Sequence, residues 1–244
     1  MAKKSKKDAV EQPTKVSNLE KRKPKGPVKF NIQLNEEQKE AKSVVMNHPV
    51  TFITGGAGSG KTLISTQIAL DMLFNREVER IIIARPAVAT EDLGFLPGSA
   101  DDKLMPYLRP VLDNFYKIYH KEHIDKLFKD EIISIVPFAF MRGLTFTNAL
   151  IIVDEAQNLD LTKSEMVLGR LGLGSKMIIC GDDAQIDLKN PLASGIFFLG
   201  TLSTTLPDDI GFYELKQNHR HPAVARILTA YKVEKDKLIK PILK

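Results

Sequence analysis

The 244-residue sequence predicts an α/β fold in which a parallel sheet is flanked by helices on both faces. Two observations predict it: short apolar runs rich in β-branched residues recur along the chain, and helical stretches separate them. The runs are continuously apolar rather than alternating, as expected for strands that are buried on both faces. A hydrophobic content of 43% is enough to form one core.

Six strands and four helical regions are predicted along the chain. The strands are VTFIT (50–54), RIIIAR (80–85), IISIV (132–136), ALIIV (149–153), KMIIC (176–180) and FYEL (212–215). The helical regions are 33–45, 61 to about 74, 101–129 and 162–171. Breaks are expected within the third region at Pro106 and Pro110, because proline lacks the N–H that a helix interior requires. The segment 86–100, which proline and glycine interrupt, is predicted to be a loop.

The first 29 residues differ in charge from the rest of the chain. They carry a net charge of +7, so that residues 30–244 carry −2 within the total of +5. Because this stretch has few large apolar residues, we expect a disordered basic tail (1–29) followed by a single domain (30–244). Two interpretations of the tail remain open: an arm attracted to nucleic-acid phosphates, and a solvated segment that aids solubility.

Cysteine content and apolar run lengths indicate the compartment. The single cysteine, Cys180, cannot form an internal disulfide, and no Cys/His cluster has zinc-ligand spacing. The opening residues MAKKSKKDAV lead into no apolar stretch of a signal peptide, and the longest apolar runs are too short to span a membrane. These observations predict a cytoplasmic protein with no membrane partner.

A glycine-rich loop, GGAGSGKT (55–62), stands between the first predicted strand and the following helix and fits G-x-x-x-x-G-K-[ST]. Glycines let consecutive backbone N–H groups turn around a phosphate, and the positive end of the following helix adds to this site. Lys61 is expected to reach the β- and γ-phosphates, and the Thr62 hydroxyl to bind magnesium. The predicted nucleotide-binding residues of the loop are Gly56, Ala57, Gly58, Ser59, Gly60, Lys61 and Thr62.

Two further strand ends carry groups suited to hydrolysis. Asp154 and Glu155 follow ALIIV, where Asp154 can hold the magnesium hydration shell and Glu155 can polarise an attacking water. Such a pair favours hydrolysis over transfer to an acceptor, although a phosphotransferase remains an alternative. Gln185, in CGDDAQIDL (180–188), is predicted to contact the γ-phosphate and that water; the alternative is a loop capped by Asp182.

Other candidate contacts lie outside these strand ends. Gln38, on the helix before the first strand, can present its amide to the edge of adenine. Basic and aromatic side chains that can pair phosphates and stack bases suggest nucleic-acid contacts; for the phenylalanines, core packing is the alternative. The candidates are Arg85, Phe138, Phe140, Arg142 and Thr145.

The motifs in this order resemble the first motor domain of superfamily 1 helicases, through LNEEQ, GGAGSGKT, VDEAQN, GDDAQ and QNHRHP. The closer resemblance is to the PhoH-like family of ATPases. It extends over most of residues 50–230, through ARPAV, LGFLPGSADDKLMPYLRP (93–110), PFAFMRGLTF (137–146), IIVDEAQN, GDDAQIDL and RHPAV. It implies a RecA-like P-loop NTPase that uses ATP and Mg²⁺, with Arg220 stabilising the charge that develops on the γ-phosphate.

Within that resemblance, the expected catalytic residues are Lys61, Glu155, Gln185 and Arg220, and the expected metal-binding residues are Thr62 and Asp154. His219 and His221 on either side of the arginine are too few to bind a metal, so a packing or orienting role is favoured. Only 24 residues follow Arg220, whereas a second motor domain needs about 150.

A neighbouring subunit is therefore expected to close the site and to supply Arg109 or Arg142, in a homo-oligomeric ring that we expect to be a hexamer. The resulting hypothesis is an ATPase that remodels or unwinds RNA or single-stranded DNA. The alternative is a nucleotide-switched assembly protein that translocates nothing.

Overall fold

The structure is a computed structural model that describes residues 28–85 and 100–239. Six strands in these ranges form one sheet in the order β3-β2-β4-β5-β1-β6, and every neighbouring pair is parallel. They are β1 (Val50–Gly55), β2 (Arg80–Arg85), β3 (Ile133–Pro137), β4 (Ala149–Val153), β5 (Lys176–Gly181) and β6 (Ile210–Leu215). The predicted parallel sheet is confirmed, with strand ends that differ by at most two residues. The predicted tail and the predicted loop at 86–100 lie almost wholly outside the described residues.

Seven α-helices accompany the strands in the described ranges. They are α1 (Glu36–Asn47), α2 (Lys61–Phe74), α3 (Ala100–Ile118), α4 (Lys121–Lys129), α5 (Leu161–Leu168), α6 (Gly195–Thr205) and α7 (Pro222–Ile239). None of these helices is long and apolar enough to cross a membrane.

The predicted breaks at Pro106 and Pro110 are wrong, because α3 runs through both prolines and the chain turns only after Ile118. Val111, Phe115 and Ile118 are fully buried, and their packing outweighs the hydrogen bonds that the prolines remove. Helices α6 and α7 were not predicted. Helix α6 contains glycine and several threonines and serines, which have low helix propensity, but buried Ile196 and Leu199 hold it against the sheet.

The sheet is buried on both faces, as its continuous apolar strands predict. Successive residues of β4 point in opposite directions, so Leu150 and Ile152 join one core cluster and Ile151 and Val153 join the other. The first cluster includes side chains of α2 and α3, and the second includes side chains of α6. This double burial fixes the register of the strands and therefore the heights at which they end.

The strand order brings the predicted motifs to one edge of the sheet. Strand β5 lies between β1 and β4, and β6 lies on the other side of β1. Because all six strands run the same way, the segments that follow β1, β4, β5 and β6 leave at the same edge. Those segments are the glycine-rich loop, the acid pair, the GDDAQ loop and the QNHRH segment.

Candidate active site

The loop between β1 and α2 is shaped by two glycines in the left-handed region, Gly58 with φ of 88° and Gly60 with φ of 89°. Gly60 is the residue from which α2 begins, so the positive end of the helix opens into the loop. The Lys61 ammonium donates to the carbonyl oxygens of Gly55 and Gly56, at 2.5 and 3.2 Å. The buried Ser59 hydroxyl has no hydrogen-bond partner among the described residues. These glycine turns and donors fit a bound phosphate.

A cavity of about 240 Å³ lies between this loop and the ends of β4 and β5. Its polar walls come from five separate segments of the chain. They include Lys61, Thr62, Asn114, Asp154, Glu155, Gln157, Asp182, Gln185 and Arg220. All four predicted catalytic residues and both predicted metal-binding residues therefore meet at one cavity.

Asp154 is held at the base of this cavity by two other side chains. The Thr62 hydroxyl donates to Asp154 Oδ1 at 2.9 Å, and Arg85 Nε lies 3.3 Å from Asp154 Oδ2. Only 4% of Asp154 is exposed, and this burial raises the pKa of its carboxyl, whereas the Arg85 guanidinium opposes the shift. A hydroxyl and a carboxylate are the hard oxygen ligands that Mg²⁺ prefers, so the residues present fit that ion.

Glu155 follows in an unusual conformation, with φ of 56°. Gln157 Nε2 donates to Glu155 Oε2 at 2.6 Å, while Gln157 Oε1 accepts from the Asp182 backbone N–H at 3.2 Å. The Gln157 carbonyl in turn accepts from the Ser194 hydroxyl at 2.7 Å. Gln157 is fully buried and links the proposed base to the loop after β5 and to the start of α6.

The GDDAQ loop contains both features that the sequence offers as alternatives, a cap formed by Asp182 and a Gln185 side chain at the cavity. Asp182 Oδ1 accepts from the Ala184 backbone N–H at 3.0 Å and caps the short turn Asp183–Gln185, which is the alternative considered for this segment. The Gln185 amide lines the cavity and donates to Asp182 Oδ2. A contact of Gln185 with phosphate or water stays a prediction.

Arg220 is attached to the glycine-rich loop through its neighbours. The His219 backbone N–H donates to the Gly58 carbonyl at 3.0 Å, and the Asn218 amide donates to the Ala57 carbonyl at 3.2 Å. The Arg220 side chain itself lies across Gly58 and reaches the cavity. His221 Nδ1 accepts from the Ala223 backbone N–H at the start of α7, which is an orienting contact.

Replacing Gly58 by alanine is expected to destabilise the protein in the absence of nucleotide. A Cβ there would lie 2.6 Å from Arg220 Cγ, at a φ that L residues rarely adopt. The left-handed conformation alone costs about 1–2 kcal/mol. Differential scanning calorimetry should show a fall in Tm of roughly 2–4 °C for each kcal/mol. Gly56→Ala is the control, because a Cβ there meets nothing within 4 Å; equal Tm values would contradict the packing of Arg220.

Gln38 lies against the glycine-rich loop, with its Nε2 3.6 Å from the position that a Cβ on Gly60 would take. Its Oε1 accepts from the Asn35 backbone N–H, and Asn35 Oδ1 accepts from the Gln38 backbone N–H, so the two residues cap α1. The Asn35 amide also donates to Gln217 Oε1 at 2.9 Å. The contact of Gln38 with adenine stays a prediction. The helix cap uses Oε1 and the backbone N–H of Gln38 but does not use Nε2.

The structure separates the nucleic-acid candidates. Phe140 is 71% exposed, and Arg142 and Thr145 are exposed on the same segment between β3 and β4. Phe138 is buried in the core, as the alternative for the phenylalanines predicted. Arg85 does not lie with these residues but beside Asp154. Its role in binding nucleic acid stays a prediction.

Sequence reasoning missed two residues of the cavity, Asn114 and Gln157, and the contact of Arg85 with Asp154. Asn114 comes from α3, four residues after the end of LGFLPGSADDKLMPYLRP (93–110), and no spacing rule points to it. Gln157 stands two residues after Glu155 in VDEAQN, and this fixed position inside a motif was the available signal. The contact of Arg85 with Asp154 was foreseeable only from the adjacency of β2 and β4.

The parallel sheet, the glycine-rich loop after β1, the acid pair after β4 and the intervening strand β5 together define a RecA-like P-loop NTPase. In such a domain the loop binds nucleotide phosphates. The family model described as PhoH-like protein matches residues 32–232. The chain belongs to the PhoH-like family.

Relatives of similar sequence carry the same description. The PhoH-like protein of Synechocystis sp. is 44% identical over 197 residues, which cover 80% of this chain and 60% of that protein. The PhoH-like protein of Bacillus subtilis is 42% identical over 197 residues, or 80% of this chain and 61% of that protein. The chain thus spans about 60% of the length of these relatives.

Solved structures of helicases and related motors are more distant. The Pif1 helicase from Candida albicans is 17% identical with a TM-score of 0.41, over 81% of this chain and 43% of that chain. The SWI2/SNF2 ATPase core of Sulfolobus solfataricus, in complex with dsDNA, is 14% identical with a TM-score of 0.44, over 78% of this chain and 46% of that chain. Neither superposition is close enough to support an inference about function.

Proposed function

We propose that this chain is a magnesium-dependent ATP hydrolase that couples hydrolysis to the remodelling of RNA or single-stranded DNA within a ring of identical subunits. The observation that carries the proposal is the single cavity at which Lys61, Asp154 and Glu155 meet. A phosphate-binding loop and an acid pair at one site supply both halves of a hydrolysis reaction.

The phosphate half of the site consists of the loop, Lys61, Thr62 and Asp154. Thr62 and Asp154 would hold Mg²⁺, whose chemistry is to neutralise charge on the phosphate oxygens. Lys61 sits 2.5 Å from the Gly55 carbonyl, and its ammonium needs only to turn from this loop oxygen to a phosphate oxygen. The left-handed glycines keep the loop open to the close approach of that phosphate.

The hydrolytic half consists of Glu155, Gln157 and Gln185. Glu155 accepts a proton from the attacking water, and the 2.6 Å hydrogen bond from Gln157 orients its carboxylate. Gln185, at the mouth of the same cavity, positions the water or the γ-phosphate. Arg220 stabilises the charge that develops on the phosphate.

Single-stranded RNA or DNA is expected to stimulate steady-state ATP hydrolysis at low salt. Phe140, which is 71% exposed, is the proposed stacking platform. Phe140→Ala should leave the basal rate unchanged and weaken the apparent affinity for nucleic acid by roughly 5- to 100-fold, because stacking of one base contributes about 1–3 kcal/mol. Leu173→Ala is the control, since Leu173 is 88% exposed and lies in another loop.

A hydrolysis rate that is indifferent to nucleic acid would contradict the coupling. The result would favour a nucleotide-switched assembly protein, in which the same site controls subunit contacts. A negligible rate under all conditions would contradict the hydrolase assignment itself.

The proposal of a ring is supported by two exposed arginines, Arg109 and Arg142, that a neighbouring subunit could present to the site. Head-to-tail contacts of this kind close into rings. Light scattering with Mg²⁺ and a non-hydrolysable ATP analogue is expected to give a hexamer of the 27.3 kDa chain. A monomer at micromolar concentration would remove the ring from the proposal.

A further inference from the structure

Arg85 forms an ion pair with Asp154, one of the residues that line the candidate active site. Arg85 is the last residue of β2, and Asp154 is the first residue after the neighbouring strand β4. The Asp154 backbone N–H donates to the Ala84 carbonyl at 2.9 Å, which fixes the two strand ends side by side. Arg85 Nε lies 3.3 Å from Asp154 Oδ2, while Oδ1 accepts from Thr62. Both carboxylate oxygens therefore contact groups of the chain itself.

Because Asp154 is buried, its ion pair with Arg85 determines how its negative charge is balanced. Asp154 is only 4% exposed, and an ionised carboxylate at such a position is strongly disfavoured unless a positive charge lies close to it. The other nearby cation of the loop, Lys61, has its ammonium directed at the Gly55 and Gly56 carbonyls.

A divalent cation would need the same carboxylate. Such a cation would draw on the negative charge of Asp154, which Arg85 already balances. Two cations that share one buried carboxylate repel each other at short range and in a medium of low dielectric constant. Metal binding at Asp154 therefore requires either that the guanidinium moves away or that further negative charge arrives.

We propose that Arg85 is the resident counter-ion of Asp154 and competes with the divalent cation for it, so that metal binds together with nucleotide phosphates and not before them. The proposal rests on the magnesium role proposed for Asp154. The triphosphate brings the additional negative charge that lets a metal ion and Arg85 coexist at the site. Arg85 is then a positioning residue that makes metal occupancy conditional on nucleotide.

The test measures Mg²⁺ binding to the full chain without nucleotide, by isothermal titration calorimetry and by the effect of Mg²⁺ on Tm. Arg85→Gln, which removes the charge, should bind Mg²⁺ about tenfold more tightly than the wild type, the usual scale for losing a hydrogen-bonded charge. Its Tm should rise on addition of Mg²⁺, whereas the Tm of the wild type should barely change. Asp154→Asn introduced into Arg85→Gln should abolish the gain.

Arg80→Gln is the matched control, because Arg80 is the same residue type at the other end of β2, with its guanidinium 6.0 Å from the Phe146 ring. It should bind Mg²⁺ like the wild type. If Arg85→Gln does not fold, Arg85→Met replaces it, because methionine also removes the charge and keeps an unbranched side chain, and a similar gain is expected. Unchanged Mg²⁺ affinity in the folded Arg85 variant would overturn the proposal.

The outcome is separable from that of the proposed function. A protein that hydrolyses ATP but whose Arg85 variant shows wild-type Mg²⁺ affinity would retain the hydrolase assignment and lose the counter-ion role. A protein that hydrolyses no nucleotide but whose Arg85 variant gains Mg²⁺ affinity would retain the counter-ion role and lose the hydrolase assignment.

Discussion

Lys61→Ala is expected to reduce ATP hydrolysis to background and to weaken nucleotide binding by roughly 10- to 100-fold, the scale of one or two charge-assisted hydrogen bonds. The ammonium of Lys61 stands at the mouth of the loop, within hydrogen-bonding distance of two of its carbonyl oxygens. Among the described residues no other lysine lines the cavity, so none of their ammonium groups can replace the proposed contact of Lys61 with the β- and γ-phosphates. Titration with a fluorescent ATP analogue measures the binding.

The control for this variant is Lys39→Ala, since Lys39 lies on α1 in an exposed ion pair with Glu36. A surface pair of this kind contributes at most about 1 kcal/mol, and the control should bind nucleotide like the wild type. Tight nucleotide binding by Lys61→Ala would mean that the phosphates are held elsewhere than at this loop.

Glu155→Gln is expected to lower turnover by roughly 10²- to 10⁴-fold, the scale for loss of a general base, while nucleotide binding is kept. Glutamine has nearly the same shape as glutamate. The substitution should therefore leave the backbone conformation of residue 155, with φ of 56°, unchanged. The contact with Gln157 Nε2 can still be made through the amide oxygen, so the fold of the loop should persist. Steady-state and single-turnover hydrolysis measure the defect.

Glu165→Gln, on the exposed face of α5, is the matched control for Glu155→Gln and should hydrolyse ATP at the wild-type rate. If Glu155→Gln hydrolyses ATP at the wild-type rate, another group is the base. If it loses nucleotide binding as well as turnover, Glu155 supports the loop instead of the chemistry.

The parts of the fold that were predictable are those whose causes are local. The strands are continuously apolar and rich in β-branched residues. Consecutive apolar residues such as Ile151 and Ile152 therefore predict burial on both faces of the sheet. The glycine-rich loop was equally predictable, because the left-handed glycines and Lys61 belong to one eight-residue motif. The acid pair was identified from its position after a strand, and the parallel sheet brings that strand end to the loop.

The parts that were not predictable depend on contacts between distant segments. Pro106 and Pro110 disfavour a helix locally, and only the burial of Phe115 in the assembled core reveals why the helix continues. The pairing of Arg85 with Asp154 depends on which strands are neighbours. The position of Asn114 at the cavity depends on how α3 packs against α2. Residues of these kinds become visible only when the whole sheet is assembled.

The attachment of residues 218–220 to the glycine-rich loop has a mechanical consequence. Helix α7 begins at Pro222, two residues after the arginine that lies on Gly58, and its described side chains beyond Val224 are exposed. Its 18 residues make a rigid arm about 27 Å long. A rotation of about 10° at the loop displaces the far end of such an arm by about 5 Å. A small change in the conformation of the loop would therefore be amplified along the length of α7.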